Sequence, residues 1–186
     1  MDQYTLILLV GGSLVILALL ASIFWFGGFL LPLIFGGAPY VPSAKKRVQT
    51  MMRLANFKST DHVVDLGSGD GLLLFSSLQA GAGTAEGYEI HPALVAISRR
   101  RSKWQRLNDR VTVHQRSYWN ADLSKTDVVV LYQIPNSMER LEKKLWEDLP
   151  MGGRVVSNAF PFPNWKPVVE EERVYLYKKT PDGLRG

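Results

Sequence analysis

The stretch Val63-Val64-Asp65-Leu66-Gly67-Ser68-Gly69-Asp70-Gly71 reads as a buried strand that breaks into a glycine-rich turn and then enters a helix. A turn of this kind aims backbone N–H groups and a helix N-terminus at a bound ligand. Its glycines let the main chain approach where a Cβ would collide. A further acid, Glu89, follows about twenty residues on, where an α/β nucleotide site places a carboxylate for ribose hydroxyls.

The spacing of the glycines discriminates among ligands. A dinucleotide fingerprint requires G-x-G-x-x-G or A. Gly67 and Gly69 satisfy its first half, but Leu72 stands at the next required position, and the pattern present is Asp65-x-Gly67-x-Gly69-x-Gly71. A carboxylate at the strand end repels phosphate and suits an amino-bearing or cationic ligand. The competing reading is a tight turn with no ligand. Three glycines flanked by two acids exceed what a turn requires.

The chain has 186 residues, enough for one compact domain and little more. It contains no cysteine, which excludes a disulfide framework, a thiolate nucleophile and a Cys-ligated metal. His62, His91 and His114 are scattered without metal-ligand spacing, so no metal site is expected.

The N-terminal region differs in kind. Between Gln3 and Ala44 no side chain is charged, and Tyr4 to Phe26 is an almost unbroken apolar run. About twenty such residues span the hydrocarbon core of a bilayer. A cleaved signal peptide carries a basic start and a shorter apolar core, whereas this chain opens Met1-Asp2-Gln3. The expectation is a retained transmembrane helix, with a buried soluble helix as the competing reading. Gly27-Gly28 and Pro32 are expected to end or kink it. Lys45-Lys46-Arg47 follows the apolar run, and positive residues favour the cytoplasmic side. The N-terminus is therefore expected outside and the folded domain on the cytoplasmic side, or the matrix side if mitochondrial. The predicted organisation is a hydrophobic anchor and linker over residues 1–38, then a domain over 39–186.

Net charge is +5. Part of it lies in Arg99-Arg100-Arg101-Ser102-Lys103 with Arg106, and helical spacing sets Arg99, Lys103 and Arg106 on one face. That face serves as a solvated surface, a contact for an anionic leaflet or a nucleic-acid contact.

Along the chain, Ser43 is placed to cap a helix over about 45–56 with Val48, Met51, Met52 and Ala55 on its apolar face. Strands are predicted at about 62–66, 84–89, 110–114, 127–132 and 154–159, with helices at about 71–79, from Pro92, and around Met138, Leu141 and Leu145. The segment Phe160-Pro161-Phe162-Pro163-Asn164-Trp165-Lys166-Pro167 leaves no room for a helix, and about 168–170 with 174–178 reads as an antiparallel pair. The fold class is α/β: an open, mainly parallel sheet with helices on both faces and an antiparallel C-terminal edge, preceded by one N-terminal transmembrane helix. Ligand then binds beyond the strand C-termini, which gathers Asp65 to Gly71, Glu89, Ser117 and Tyr132-Gln133 around one crevice.

The glycine loop with its flanking acids resembles that of the class I, Rossmann-like S-adenosylmethionine-dependent methyltransferases. Further segments narrow the resemblance: Tyr40-Val41-Pro42-Ser43, Gly87-Tyr88-Glu89-Ile90-His91-Pro92, the Phe160 to Pro167 segment, and Val174-Tyr175-Leu176-Tyr177. Together, over roughly residues 39–178, they resemble the small membrane-anchored protein-lysine methyltransferases of the ATP synthase c-subunit and of the adenine nucleotide translocase, with prokaryotic relatives. The resemblance implies S-adenosylmethionine as cofactor, held by Asp65, Gly67, Ser68, Gly69, Asp70, Gly71, Glu89 and Ser117. It implies a protein partner bearing a target lysine, associated with the bilayer. Tyr40, Tyr132 and Gln133 are the candidates for lining the amine channel. The chain departs from the family at Arg116-Ser117-Tyr118-Trp119, where such enzymes often carry an acid for the adenine amino group; Ser117 accepts a hydrogen bond without a charge. Tyr132-Gln133-Ile134-Pro135-Asn136 stands where enzymes acting on nucleic-acid bases or glutamine amides often carry Asn-Pro-Pro-Tyr, which disfavours nucleic acid as partner. Transfer to a small molecule, a lipid headgroup or RNA is the alternative within the same scaffold, and a non-catalytic cofactor-binding or scaffold protein is the alternative of another class.

Overall fold

The computed structural model describes residues 2–34 and 45–181. The chain divides into two compact units, Met1–Tyr40 and Val41–Gly186. The predicted linker and the Ser43 cap lie outside the described residues.

The first unit is the helix α1, Gln3–Ile34. Asp2 starts it, its carboxylate accepting the Thr5 N–H at 2.8 Å, as an N-cap acid does. Ser13 and Ser22 donate back to the carbonyls of Leu9 and Ala18, each at 2.8 Å, so these hydroxyls are satisfied within the helix. The portion Gln3–Ile23, 21 residues, is long and apolar enough to cross a membrane; at 1.5 Å per residue it measures about 31 Å. The helix continues through Gly27-Gly28 to Ile34, so the glycine pair does not end it.

The second unit is built on a seven-stranded sheet: β1 His62–Leu66, β2 Thr84–Glu89, β3 Val111–Gln115, β4 Val128–Leu131, β5 Arg154–Asn158, β6 Val169–Glu171 and β7 Val174–Lys178. Their order is β3-β2-β1-β4-β5-β7-β6. β1 to β5 run parallel, and β7 and β6 close the edge antiparallel. This is the Rossmann-like arrangement expected from the sequence. The helices are α2 Lys45–Ala55, α3 Leu72–Gln79, α4 Pro92–Trp104 and α5 Pro135–Asp148.

Strand alternation sorts the core into two layers. Val63, Val128, Val130, Val156 and Val174 pack with α2, α3 and α4 residues such as Met51, Leu74 and Val95. Val64, Leu66, Val129, Leu131 and Val155 pack with Leu141 and Leu145 of α5 and with Phe162, Trp165 and Tyr177. The proline- and aromatic-rich segment thus inserts two buried rings, Phe162 and Trp165, into this layer. Its Phe162 N–H donates to the Tyr177 hydroxyl at 3.0 Å, and Trp165 meets Trp146 edge-on at 5.3 Å between ring centroids.

The β3–β4 connection contains one turn of 3-10 helix, Tyr118–Asn120, and no α-helix. On the layer that this connection serves, β1 to β3 carry a polar cluster. The Glu86 carboxylate meets His114 Nε2 at 2.8 Å and His62 Nε2 at 3.2 Å. It also accepts the Tyr88 hydroxyl at 2.6 Å.

Several boundaries differ from expectation for physical reasons. Gly71 has φ +84°, so α3 begins one residue later, at Leu72. β3 runs one residue later than expected. Asp127 falls off β4, and its carboxylate instead accepts the His62 N–H at 2.8 Å. α4 ends at Trp104, and Arg106 has φ +56°. The expected face of Arg99, Lys103 and Arg106 therefore does not form: Arg106 is off the helix, and Arg99 donates from Nε and Nη2 to the Val113 carbonyl at 3.0 and 2.7 Å.

Candidate active site

The glycine loop is shaped by one carbonyl and one carboxylate. The Tyr88 carbonyl accepts from the Gly67 and Ser68 N–H groups at 2.9 and 3.0 Å, which turns the chain at the end of β1. Glu89, half-buried at the end of β2, accepts the Gly69 N–H on Oε2 at 2.9 Å. Its Oε1 accepts the His91 N–H at 2.8 Å, so the same carboxylate braces the entry to α4. Asp70 accepts the Leu72 N–H at 3.1 Å and thereby starts α3. Gly67, Gly69 and Gly71 all have positive φ, +96°, +55° and +84°, a region that side chains resist.

Close approach explains two of the glycines further. A Cβ on Gly67 would stand 2.4 Å from Gln133 Nε2. A Cβ on Gly87 would stand 2.7 Å from both Leu74 Cδ1 and Ser68 Oγ. The strand residue beneath the loop is therefore bare so that Ser68 can fold inward, a requirement that sequence spacing alone does not reveal.

Asp65 carries the strongest signal. It is 1% exposed, and its Oδ1 has no hydrogen-bond partner among the described residues. Burial, followed by the charges of Glu89 and Asp70, raises its carboxyl well above the usual carboxylate range. An acid so placed gains most from a positively charged neighbour supplied from outside. Ser68 Oγ, His91 Nδ1 and Gln133 Oε1 are likewise buried and unpartnered among the described residues. Buried polar groups are ordinarily paired, so these atoms, set beside Asp65, are the ones able to take a ligand's hydrogen bonds.

Tyr132 and Gln133 follow β4 directly. Gln133 is 3% exposed and donates from Nε2 to the Leu66 carbonyl at 2.5 Å. That bond clamps β4 to β1 and leaves the amide oxygen as a fixed acceptor. Tyr132 is half-buried, with the Arg47 guanidinium 6.0 Å from its ring centroid. Ser117 reaches the same end of the sheet, since the Arg116 N–H donates to the Glu89 carbonyl at 3.0 Å. Its hydroxyl accepts the Trp119 N–H at 3.4 Å. Tyr118 is buried in the core beside Leu123 and Leu131, and the Trp119 ring is faced by Arg140 at 4.0 Å. Tyr40 lies outside the described residues.

A concavity of about 370 Å³ lies at the opposite ends of the strands and is lined by Lys58, Asp61, Asp127 and Arg154 among others. Two of its charged groups pair within it. Arg154 donates to Asp61 Oδ2 at 2.5 Å and to the carbonyls of Ala55 and Asn56 at 2.5 and 2.9 Å. This is a structural clasp. Among the described residues no group of three or more His, Cys, Asp or Glu side chains could hold a metal ion.

A family model described as the ANTKMT methyltransferase domain matches residues 65–169. The adenine nucleotide translocase lysine N-methyltransferase of Mus musculus is 34% identical over 143 residues, covering 75% of this chain and 62% of that protein. The ATP synthase C-subunit lysine N-methyltransferase of Xenopus laevis is 36% identical over 129 residues, covering 69% of this chain and 56% of that protein. The chain thus spans about six-tenths of the length of these relatives. Among solved structures, an RNA methyltransferase from Salinibacter ruber in complex with S-adenosyl-L-homocysteine superposes with a TM-score of 0.68 at 34% identity. That match covers 78% of this chain and all of the other.

Proposed function

The chain belongs to the ANTKMT methyltransferase family, and we propose that it transfers a methyl group from S-adenosylmethionine to a lysine side chain of a membrane-associated protein. The observation that carries this reading is the buried Asp65 carboxylate, unpartnered on Oδ1 and pressed by two further acids. The residues present fit the cofactor: it brings an α-amino group and a sulfonium to an acidic pocket, ribose hydroxyls to Glu89, and an adenine to the Ser117 end of the sheet. Bound there, S-adenosylmethionine supplies an electrophilic methyl group.

The chain's own residues then have distinct tasks. Asp65 holds the cationic amino-acid end, and Gly67, Ser68, Gly69 and Gly71 supply a main chain without side-chain bulk. Asp70 and Glu89 add negative potential, and Glu89 keeps the loop in place through Gly69. A lysine attacks only as the neutral amine. Removing it from water and setting it near a positive charge both lower its pKa. Gln133, fixed through Leu66, offers its amide oxygen to an amine N–H and so orients the lone pair along the line of attack. Tyr132 walls the same approach. Orientation of this kind lowers such a barrier by roughly 7–11 kcal/mol. α1 tethers the enzyme to a bilayer, with the folded unit on the side of Lys45-Lys46-Arg47, and raises its concentration near membrane-borne lysines.

The test is direct. Full-length protein is incubated with methyl-labelled cofactor and native membranes, and label is counted separately in protein, lipid and RNA. Label should enter protein, with mass spectrometry placing it on lysine, and an Asp65→Ala variant should transfer none. Similarity to the RNA methyltransferase from Salinibacter ruber favours RNA as a second acceptor class. Counts confined to RNA would replace the lysine reading with that one.

A further inference from the structure

The outer face of α4 combines exposed apolar and basic side chains. Ile97 is 52% exposed and Trp104 is 86% exposed, with Arg100 and Lys103 exposed beside them. Residues 97, 100 and 104 recur at helical spacing, so an isoleucine, an arginine and a tryptophan form one stripe about 10 Å long. The helix contains no Asp or Glu. The buried face carries Val95, Ser98 and Ser102, Arg99 is tied to the Val113 carbonyl, and Arg101, which borders the stripe, is turned to the Phe75 ring at 4.4 Å. A tryptophan this exposed, two turns from an exposed isoleucine and flanked by cations, matches the headgroup level of a bilayer, where indole rings and basic residues concentrate.

We propose that this stripe docks on the anionic headgroup layer of the membrane that holds α1. The docking rests on the membrane-anchored reading of the enzyme and adds a second contact to that anchor. Charge complementarity selects the occupant: Arg100 and Lys103 meet lipid phosphates and carboxylates, and Ile97 and Trp104 enter the acyl boundary. RNA would use the arginines and stack on the tryptophan but would give Ile97 nothing. The docking also has a functional consequence. α4 starts at Pro92, just after Glu89, so a bilayer lying along this helix sits beside the mouth of the site and presents lysines at headgroup height.

The chain contains no cysteine, so one introduced thiol reports on one place. An Ile97→Cys variant of the full chain is labelled with a nitroxide and bound to neutral phosphatidylcholine vesicles or to vesicles with about one-third phosphatidylserine. The same label at Met151→Cys, 61% exposed and at the far ends of the strands, is the control. On anionic vesicles the label at 97 should gain access to dissolved oxygen and lose access to an aqueous paramagnetic ion, while the control stays aqueous. Each basic residue near an anionic surface contributes about fivefold in partitioning. Arg100→Glu with Lys103→Glu should therefore return the label to water, as should raising salt towards 1 M, where the Debye length falls to about 3 Å. A label at 97 that stays aqueous on anionic vesicles to which the protein is bound overturns the docking proposal. So does a label immobilised by RNA and indifferent to lipid charge. Failure to float with neutral vesicles overturns the α1 anchor instead, and leaves the label readout on anionic vesicles to decide the role of α4.

Discussion

Replacing Asp65 with Asn should stabilise the ligand-free protein and weaken its hold on cofactor. The Asp65 carboxylate is buried, unpartnered on Oδ1, and close to Glu89 and Asp70. An unsatisfied buried polar group costs about 1–3 kcal/mol, and a charged one more. The amide keeps the shape, removes the charge and offers a donor to two neighbouring acids. A gain of about 1–3 kcal/mol is expected, which for a chain of this size raises the melting temperature by roughly 2–12 °C. Losing one partner of a buried charge pair costs about 2–5 kcal/mol in binding, so affinity for S-adenosylmethionine should fall at least about thirtyfold. The pH dependence has a definite sign. The folded-state pKa is raised, so the favourable contribution of Asp65 is complete below its unfolded value of about 3.9 and is lost as pH rises through the folded value. Wild-type protein without ligand should lose stability relative to the Asn variant as pH climbs from about 4. Thermal unfolding across that range, with calorimetric titration of cofactor, measures both halves. A variant less stable than wild type that still binds cofactor at wild-type affinity would refute the assignment of Asp65 to a cationic ligand.

Four further outcomes are expected. Gly67→Ala sets a Cβ 2.4 Å from Gln133 Nε2 at φ +96°; left-handed strain plus the lost Gln133 bond amount to about 2–4 kcal/mol, read by urea unfolding. Gln133→Leu should cut turnover with the methyl acceptor more than it cuts cofactor affinity, because the amide oxygen is assigned to the amine; equal losses in both would count against that role. Glu86 is held at about 2, chiefly by its hydrogen bond from His62, with Tyr88 and the charge of His114 adding to it against the opposing effect of burial. Its contribution is present above about 4.3 and is lost as pH falls through about 2, so Glu86→Gln should flatten the acid limb of a stability–pH curve. Arg154→Ala should cost about 3 kcal/mol in the same unfolding assay, since it leaves the buried Asp61 carboxylate without its cation.

Much of the architecture is legible because local signals coincide. β1 runs over His62–Leu66 as read, since a β-branched run ends at a glycine that cannot continue it. β2 emerges with the expected bounds although its periodicity is weak, because a parallel sheet needs a strand after α3. What stays hidden depends on register or on tertiary bonds. The meeting of Glu86 with His62 and His114 follows from β2 lying between β1 and β3, with Val64 opposite Glu86 and Tyr88 opposite His114; no spacing along the chain encodes it. Arg106 leaves the helix because the Leu107 N–H returns to the Ser102 carbonyl, a C-terminal capping pattern without the usual glycine. In the site, the glycines and acids are readable as a motif, whereas the inward fold of Ser68 over Gly87 and the clamp from Gln133 to Leu66 require the assembled sheet.

Glu89 and Asp65 differ in what their presence signifies. Glu89 already has employment inside the protein: two amide hydrogens, on Gly69 and His91, terminate on its two oxygens. A glutamine there could satisfy only one of them. A homologue that had abandoned catalysis would still need that acid to keep its loop standing, so finding it in a sequence says little about turnover. Asp65 has no such domestic duty on its unpartnered oxygen. At neutral pH its presence is an expense that an incoming cation relieves, which makes it the more diagnostic position when the active members of such a family are to be told from the inert ones.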